Sequence, residues 1–298
     1  MSTAITAARH ELLASVRAKA PYALVAAFLG MVAASTFIGW RTTVTVTAIY
    51  ERVLADGYTT QPNPFTDVSP LYYVRNTVIY VLLIGTLMAA TLGVQSALRD
   101  RKAETAALIG TRPVDARALR TGRLLGLGIL LAALVAVTEV VTWVSVGLLV
   151  GGPLDAAETL RIAGFGVLTW LLLVGFAGVG MLSGRLLHRE RTALLAPVVV
   201  WAVIAFVVPQ LGTAARPVSL LNPVPLPAQD SGAFAWLSHA LAPIAITERF
   251  KTASGALLGS PTTGSAAASA LLVALFAAVA LTAAILVRGT RTQGVPHE

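Results

Sequence analysis

The sequence contains no cysteine. Disulfides, thiolate metal sites and cysteine nucleophiles are therefore excluded, and nothing marks a redox compartment. Lysine is nearly absent too, with three among 298 residues. A phosphate-binding P-loop needs Gly-Lys followed by Ser or Thr, so that backbone amides and the ammonium hold the phosphates. The three lysines stand in Ala18-Lys19-Ala20, Arg101-Lys102-Ala103 and Phe250-Lys251-Thr252, and none fits. ATP hydrolysis by that route would have to reside in another protein. Histidine is limited to His10, His188, His239 and His297, all outside the long apolar runs. An intramembrane Ser–His pair or a converging zinc site has no ligand at the required depth. Charge is scarce as well. Asp, Glu, Lys and Arg make up 12% of the chain, about half the ~25% of soluble domains.

What fills the chain instead is apolar: 56% hydrophobic residues and a mean hydropathy of +0.77. A surface so poor in ionic groups suits lipid rather than water. A bilayer core of about 30 Å needs about 20 apolar residues per helix. Six stretches qualify, residues 22–40, 76–98, 124–150, 162–184, 192–212 and 266–287. The first is too long for the apolar core of a signal peptide and reads as a retained span. The predicted fold class is an all-α membrane protein of six transmembrane helices forming a single domain over residues 1–298. Residues 3–20 place Ile5, Leu12, Leu13, Val16 and Ala20 on one helical face, interrupted by Arg9. This predicts an interfacial helix leading into the first span. Before the last span, Phe234, Leu237 and Leu241 keep helical spacing, as do Ile246, Phe250, Ala253 and Leu257, with Pro243 between the runs. Two short helices are expected there, lying against the outer leaflet or a partner.

Orientation follows from the cations. With the N-terminus inside, 15 of the 22 Lys and Arg residues fall on the inner side, as the positive-inside rule requires. Both termini are then cytoplasmic and the chain sits in the cell membrane. The formal charge of +8 is explained by this orientation without nucleic acid. Residues 41–75 and 213–265 become long outer segments, and 99–123 a basic cytoplasmic one.

Glu139 is the one ionisable residue deep in a span, a position where charge is costly and usually functional. The alternative is a neutral acid facing the bundle interior and bonded to Thr138 or Thr142. Gly122 with Gly126, and Gly180 with Gly184, have the Gly-x-x-x-Gly spacing that permits close helix contact.

The segment from Asp100 to Gly126 reads DRKAETAALIGTRPVDARALRTGRLLG. It resembles the cytoplasmic loop between the second and third spans of ABC-2-type transporter permeases, a group that includes copper-enzyme-maturation permeases. Asp100-Arg101 stands for that family's acidic-Arg pair and Thr105 for its Thr. Leu108 and Ile109 supply the apolar turn, Pro113-Val114 the Pro-hydrophobic step, Arg117 the basic part, and Gly122-Arg123 the family's Gly-Lys. Glu104 replaces the family's Gly and Asp115 its Ser; Asp caps a helix as Ser does. The resemblance implies a coupling segment over 99–123, moved by a separate ABC ATP-binding subunit that holds ATP and Mg, with no cofactor on this chain. It also implies a second permease copy or homologue and, most often, export. The outer segments would gate the exit or dock an extracytoplasmic partner. A self-contained secondary transporter or channel, needing midplane polar sites, and a non-transporting membrane scaffold are the competing readings.

Overall fold

The structure is a computed structural model that describes residues 3–17, 20–63, 69–99, 115–187, 189–213, 219–260, 262 and 264–287. These contain helices and no strand. The order is α1 (Thr3–Arg17), α2 (Ala20–Ala55), α3 (Pro70–Arg99), α4 (Ala116–Val150), α5 (Ala156–Leu186), α6 (Glu190–Gly212), α7 (Ala235–Leu241), α8 (Ile246–Leu257) and α9 (Ala266–Leu286). The six helices long and apolar enough to cross a membrane are α3, α4, α5, α6 and α9, together with α2 from Val25 to Ala55. The chain is thus a multi-pass, membrane-type helical bundle. The spans run alternately up and down, so α1 and the ends of α3, α5 and α9 share one face, here the N-terminal face.

Local signals set the helix ends. Asp115 caps α4, its Oδ1 accepting from the Arg117 amide at 2.9 Å. Gly151, at φ 78°, supplies the left-handed residue that ends α4. Asp155 and Glu158 form a reciprocal capping box at the start of α5, and Ser265 caps α9. Two helices, α3 and α6, carry a wide π turn, at Val81–Gly85 and Val203–Val207. The Trp201 indole beside one donates to Thr86 Oγ1 beside the other at 2.8 Å.

Burial separates core from shell. In α3 and α5, 67% of the apolar window is buried, against 22% in α2 and α6 and 28% in α9. Helix α5 is the axis of the bundle because its glycines admit its neighbours' backbones. Any Cβ on Gly180 would stand 1.9 Å from the Ala90 carbonyl oxygen of α3, and one on Gly178 3.0 Å from the Ala280 carbonyl carbon of α9. Phe176 on Phe276 (5.3 Å between ring centroids) and Phe165 on Phe250 (6.1 Å) pack α5 against α9 and α8.

Three expectations are corrected. Residues 41–55, read as the start of an outer loop, continue α2 without a break. Their Thr-Val alternation lowers hydropathy, but no Gly or Pro stands between Gly39 and Gly57. Residues 116–123, read as loop, are the first turns of α4. Helices α7 and α8 form as expected on either side of Pro243, but α8 is not superficial. Phe250 and Lys251 are fully buried, because α8 wedges between α5 and α9.

Candidate functional site

The N-terminal face is organised around Glu11, the one acidic residue before the first span. Helix α1 reaches it by close backbone contact with α4. Gly122 and Gly126 would put any Cβ 2.2 Å from the Ala4 and 2.7 Å from the Ala8 carbonyl oxygen. The face of α1 that docks is therefore the small and polar one, Ala7, Ala8, Glu11 and Ser15. Ile5, Leu13 and Val16 point outward. Glu11 is 1% exposed. Its Oε1 accepts from Arg99 Nη2 at the end of α3, and its Oε2 lies 3.8 Å from Arg123 Nη1 on α4. The same Arg123 nitrogen donates to the Ser96 carbonyl at 2.8 Å. Arg120 Nη1 donates to the Ile285 carbonyl at 2.8 Å, and Arg185 to that of Ala284. Together they close the last turn of α9, where helix carbonyls lack partners and cations are favoured. Four arginines counted from sequence as orientation signals thus hold helix ends together.

Of the expected coupling residues, Asp100, Arg101, Thr105, Leu108, Ile109 and Pro113 lie outside the described residues. Arg117 is exposed in the first turn of α4. What is described is the segment's frame. Arg99 and Arg123, the first and last residues of the 99–123 segment, both engage Glu11.

Glu139 faces α5 in mid-span. Any Cβ on Gly166 would lie 2.9 Å from Glu139 Cγ. The expected bond to Thr138 is not formed, since that hydroxyl donates to the Leu134 carbonyl at 2.9 Å. Glu139 Oε2 is buried with no hydrogen-bond partner.

On the opposite face, α8 carries a buried ionic cluster that the sequence reading missed. Glu248 Oε1 accepts from Lys251 Nζ at 2.7 Å and from the Ser219 hydroxyl, and Oε2 accepts from the Leu226 amide at 3.2 Å. Lys251 Nζ also donates to the Ser219 carbonyl at 2.6 Å. Burial lowers the Lys251 pKa, and Glu248 opposes the shift. Ser219 and Lys251 form a serine–lysine pair at 3.3 Å. Ser219 is nevertheless 1% exposed and gives its proton to Glu248, so the cluster acts as a clamp pinning residues 219–226 onto α8. Beside it is a cleft of ≈ 400 Å³ lined by Thr213, His239, Glu248, Arg249 and Thr252 among others. Arg249 is turned to the Ala242 carbonyl at 2.8 Å. The available sequence signal was the i,i+3 spacing of Glu248 and Lys251 on a predicted helix.

Neither a protein-family model nor a curated protein matches this sequence.

Proposed function

We propose that the chain is the membrane-spanning permease subunit of an ABC exporter, working beside a separate ATP-binding subunit and a second permease copy. The observation that carries this reading is the frame around residues 100–114. The segment that resembles the ABC-2 coupling loop leaves α3 at Arg99 and returns within α4, and Arg99 and Arg123 on its flanks both engage the buried Glu11 of α1. A segment tied down at both ends transmits a push to the helices it joins. Closure of an ATPase pair on ATP would displace it, and α3 and α4 would move with α1 as one unit. The N-terminal face is then cytoplasmic, as the distribution of cations requires. Helix α1, with Ile5, Leu13 and Val16 outward, lies in the lipid interface.

A second reading, an ion-coupled transporter without an ATPase, is favoured by the unpaired Glu139 at mid-span. The two separate in one experiment. Leu108 and Ile109 are the bulkiest apolar residues of the segment, and replacing both with Asp puts unpaired charge into any ATPase groove that receives them. The double variant is expected to reach the membrane normally and to lose co-purification with the ATP-binding subunit and its stimulated ATP hydrolysis. Full-strength association of the variant would refute the coupling assignment, and a wild type with no ATPase partner would favour the second reading.

A further inference from the structure

Glu139 stands at mid-span on α4, and among the described residues it forms no ion pair. The ionisable groups on the elements packed against α4 can be enumerated from the sequence. Helix α1 brings Arg9, His10, Glu11 and Arg17, all at the N-terminal face. From α2 come Tyr22, Arg41, Tyr50, Glu51 and Arg52, and from α3 Tyr72, Tyr73, Arg75, Tyr80 and Arg99. Helix α5 contributes Glu158, Arg161 and Arg185 near its ends, and α9 none. Within α4 no other ionisable residue follows Arg123.

The site is nonetheless built. Gly166 leaves out the one atom that would collide with the Glu139 side chain, at 2.9 Å from Cγ and 3.4 Å from Oε1. One turn along α5, Thr169 is 3% exposed, and its hydroxyl, like Glu139 Oε2, is buried with no hydrogen-bond partner. Thr138, Thr86 and Ser183 each donate to the carbonyl four residues back, a bond that the Thr169 hydroxyl does not make. Thr169 and Glu139, on facing helices, keep unused hydrogen-bonding capacity. A bare carboxylate at that depth is far costlier than a neutral acid. A metal ion would need several converging oxygens, whereas a proton needs one.

We infer that Glu139 is a proton-binding site inside the bundle, at the contact between α4 and α5. The inference stands on the α4–α5 contact and holds whichever of the two transport readings is right. Glu139 is part-exposed as a residue while its Oε2 is buried, so the reagent that probes it must be apolar.

Dicyclohexylcarbodiimide tests this directly, because it adds to a protonated carboxyl in apolar surroundings. The acid proton passes to one carbodiimide nitrogen and the carboxyl oxygen bonds the central carbon. The acyl group then migrates to nitrogen, giving a stable N-acylurea with no atom lost. The purified full chain in nanodiscs would be treated across a pH series and its peptides read by mass spectrometry. Modification at Glu139 is expected at mildly acidic pH, with a yield falling about tenfold per pH unit once the carboxyl titrates. The adduct should be absent from that peptide in Glu139→Gln. The wild-type pH series decides the matter even if that variant fails to fold. No adduct at any pH, or a yield unchanged from acidic to alkaline pH, would overturn the inference.

Discussion

Gly180→Ala adds one methyl group, and the structure specifies what that methyl meets. Its Cβ would lie 1.9 Å from the Ala90 carbonyl oxygen and 2.8 Å from its carbon. Both are backbone atoms of α3 and have no rotamer through which to escape. Restoring ordinary contact at 3.4 Å requires α3 and α5 to separate by about 1.5 Å. That opening spreads along the seam, because a Cβ on Gly93 would lie 2.0 Å from the Ala177 carbonyl oxygen and one on Gly184 2.7 Å from Ala97 Cβ on the same interface. A gap of even about 0.5–1 Å forfeits a quarter to a half of each dispersion contact. Overpacking of this kind costs about 3 kcal/mol at the upper end of its usual range. Alanine's better helix propensity returns about 1 kcal/mol, leaving a net loss of about 2 kcal/mol. Gly128→Ala is the matched control. Nothing lies within 4 Å of its added Cβ, so only the propensity term remains, a gain of up to about 1 kcal/mol. Unfolding of both variants in detergent by SDS titration, with size-exclusion chromatography to check the fold, measures the difference of about 3 kcal/mol between them. Equal stabilities, or a more stable Gly180→Ala, would refute the assignment of α3–α5 as the close-packed seam.

Two further outcomes are expected. The chain has no native cysteine, so Asp230→Cys should react with an impermeant maleimide on intact cells and Arg189→Cys only after permeabilisation; the reverse pattern would invert the orientation. Burial lowers the Lys251 pKa below 10.5, with Glu248 opposing the shift. Between that lowered value and 10.5 the unfolded chain binds more protons than the folded one, so this group's contribution to stability rises as pH rises through the window. Lys251→Met should abolish that slope in an unfolding titration and cost about 3–5 kcal/mol by leaving Glu248 unpaired in the interior. Glu248→Gln combined with Lys251→Met should recover part of the loss, and a slope of opposite sign in the wild type would refute the burial argument.

Periodicity and run length were enough to find the spans, because a bilayer imposes its thickness on any helix that crosses it and water-exposed ends mark the limits. Helices α7 and α8 were legible for a similar reason, since Pro243 breaks a run whose apolar spacing holds on both sides. The Gly-x-x-x-Gly spacings at Gly122 and Gly180 were legible as an opportunity for close approach. Only the fold assigned their partners, α1 for the first and α3 for the second.

The roles of the charged residues were decided by tertiary structure. Arg99, Arg120, Arg123 and Arg185 look from sequence like four orientation signals, and Lys251 like an outward-facing cation. Hydropathy treats each as a solvated charge, because it averages along the chain and has no record of what packs from elsewhere. Arg120 and Arg185 find the open carbonyls of α9 more than a hundred positions and about a hundred positions away, respectively. Lys251 is buried only because α8 inserts between α5 and α9 and brings Ser219 to it from 32 residues upstream. For Glu139, the sequence by itself determined that a carboxyl sits at mid-span; that it faces a glycine and finds no partner was fixed by how α4 and α5 pack, since the nearest atoms across that contact come from a separate span.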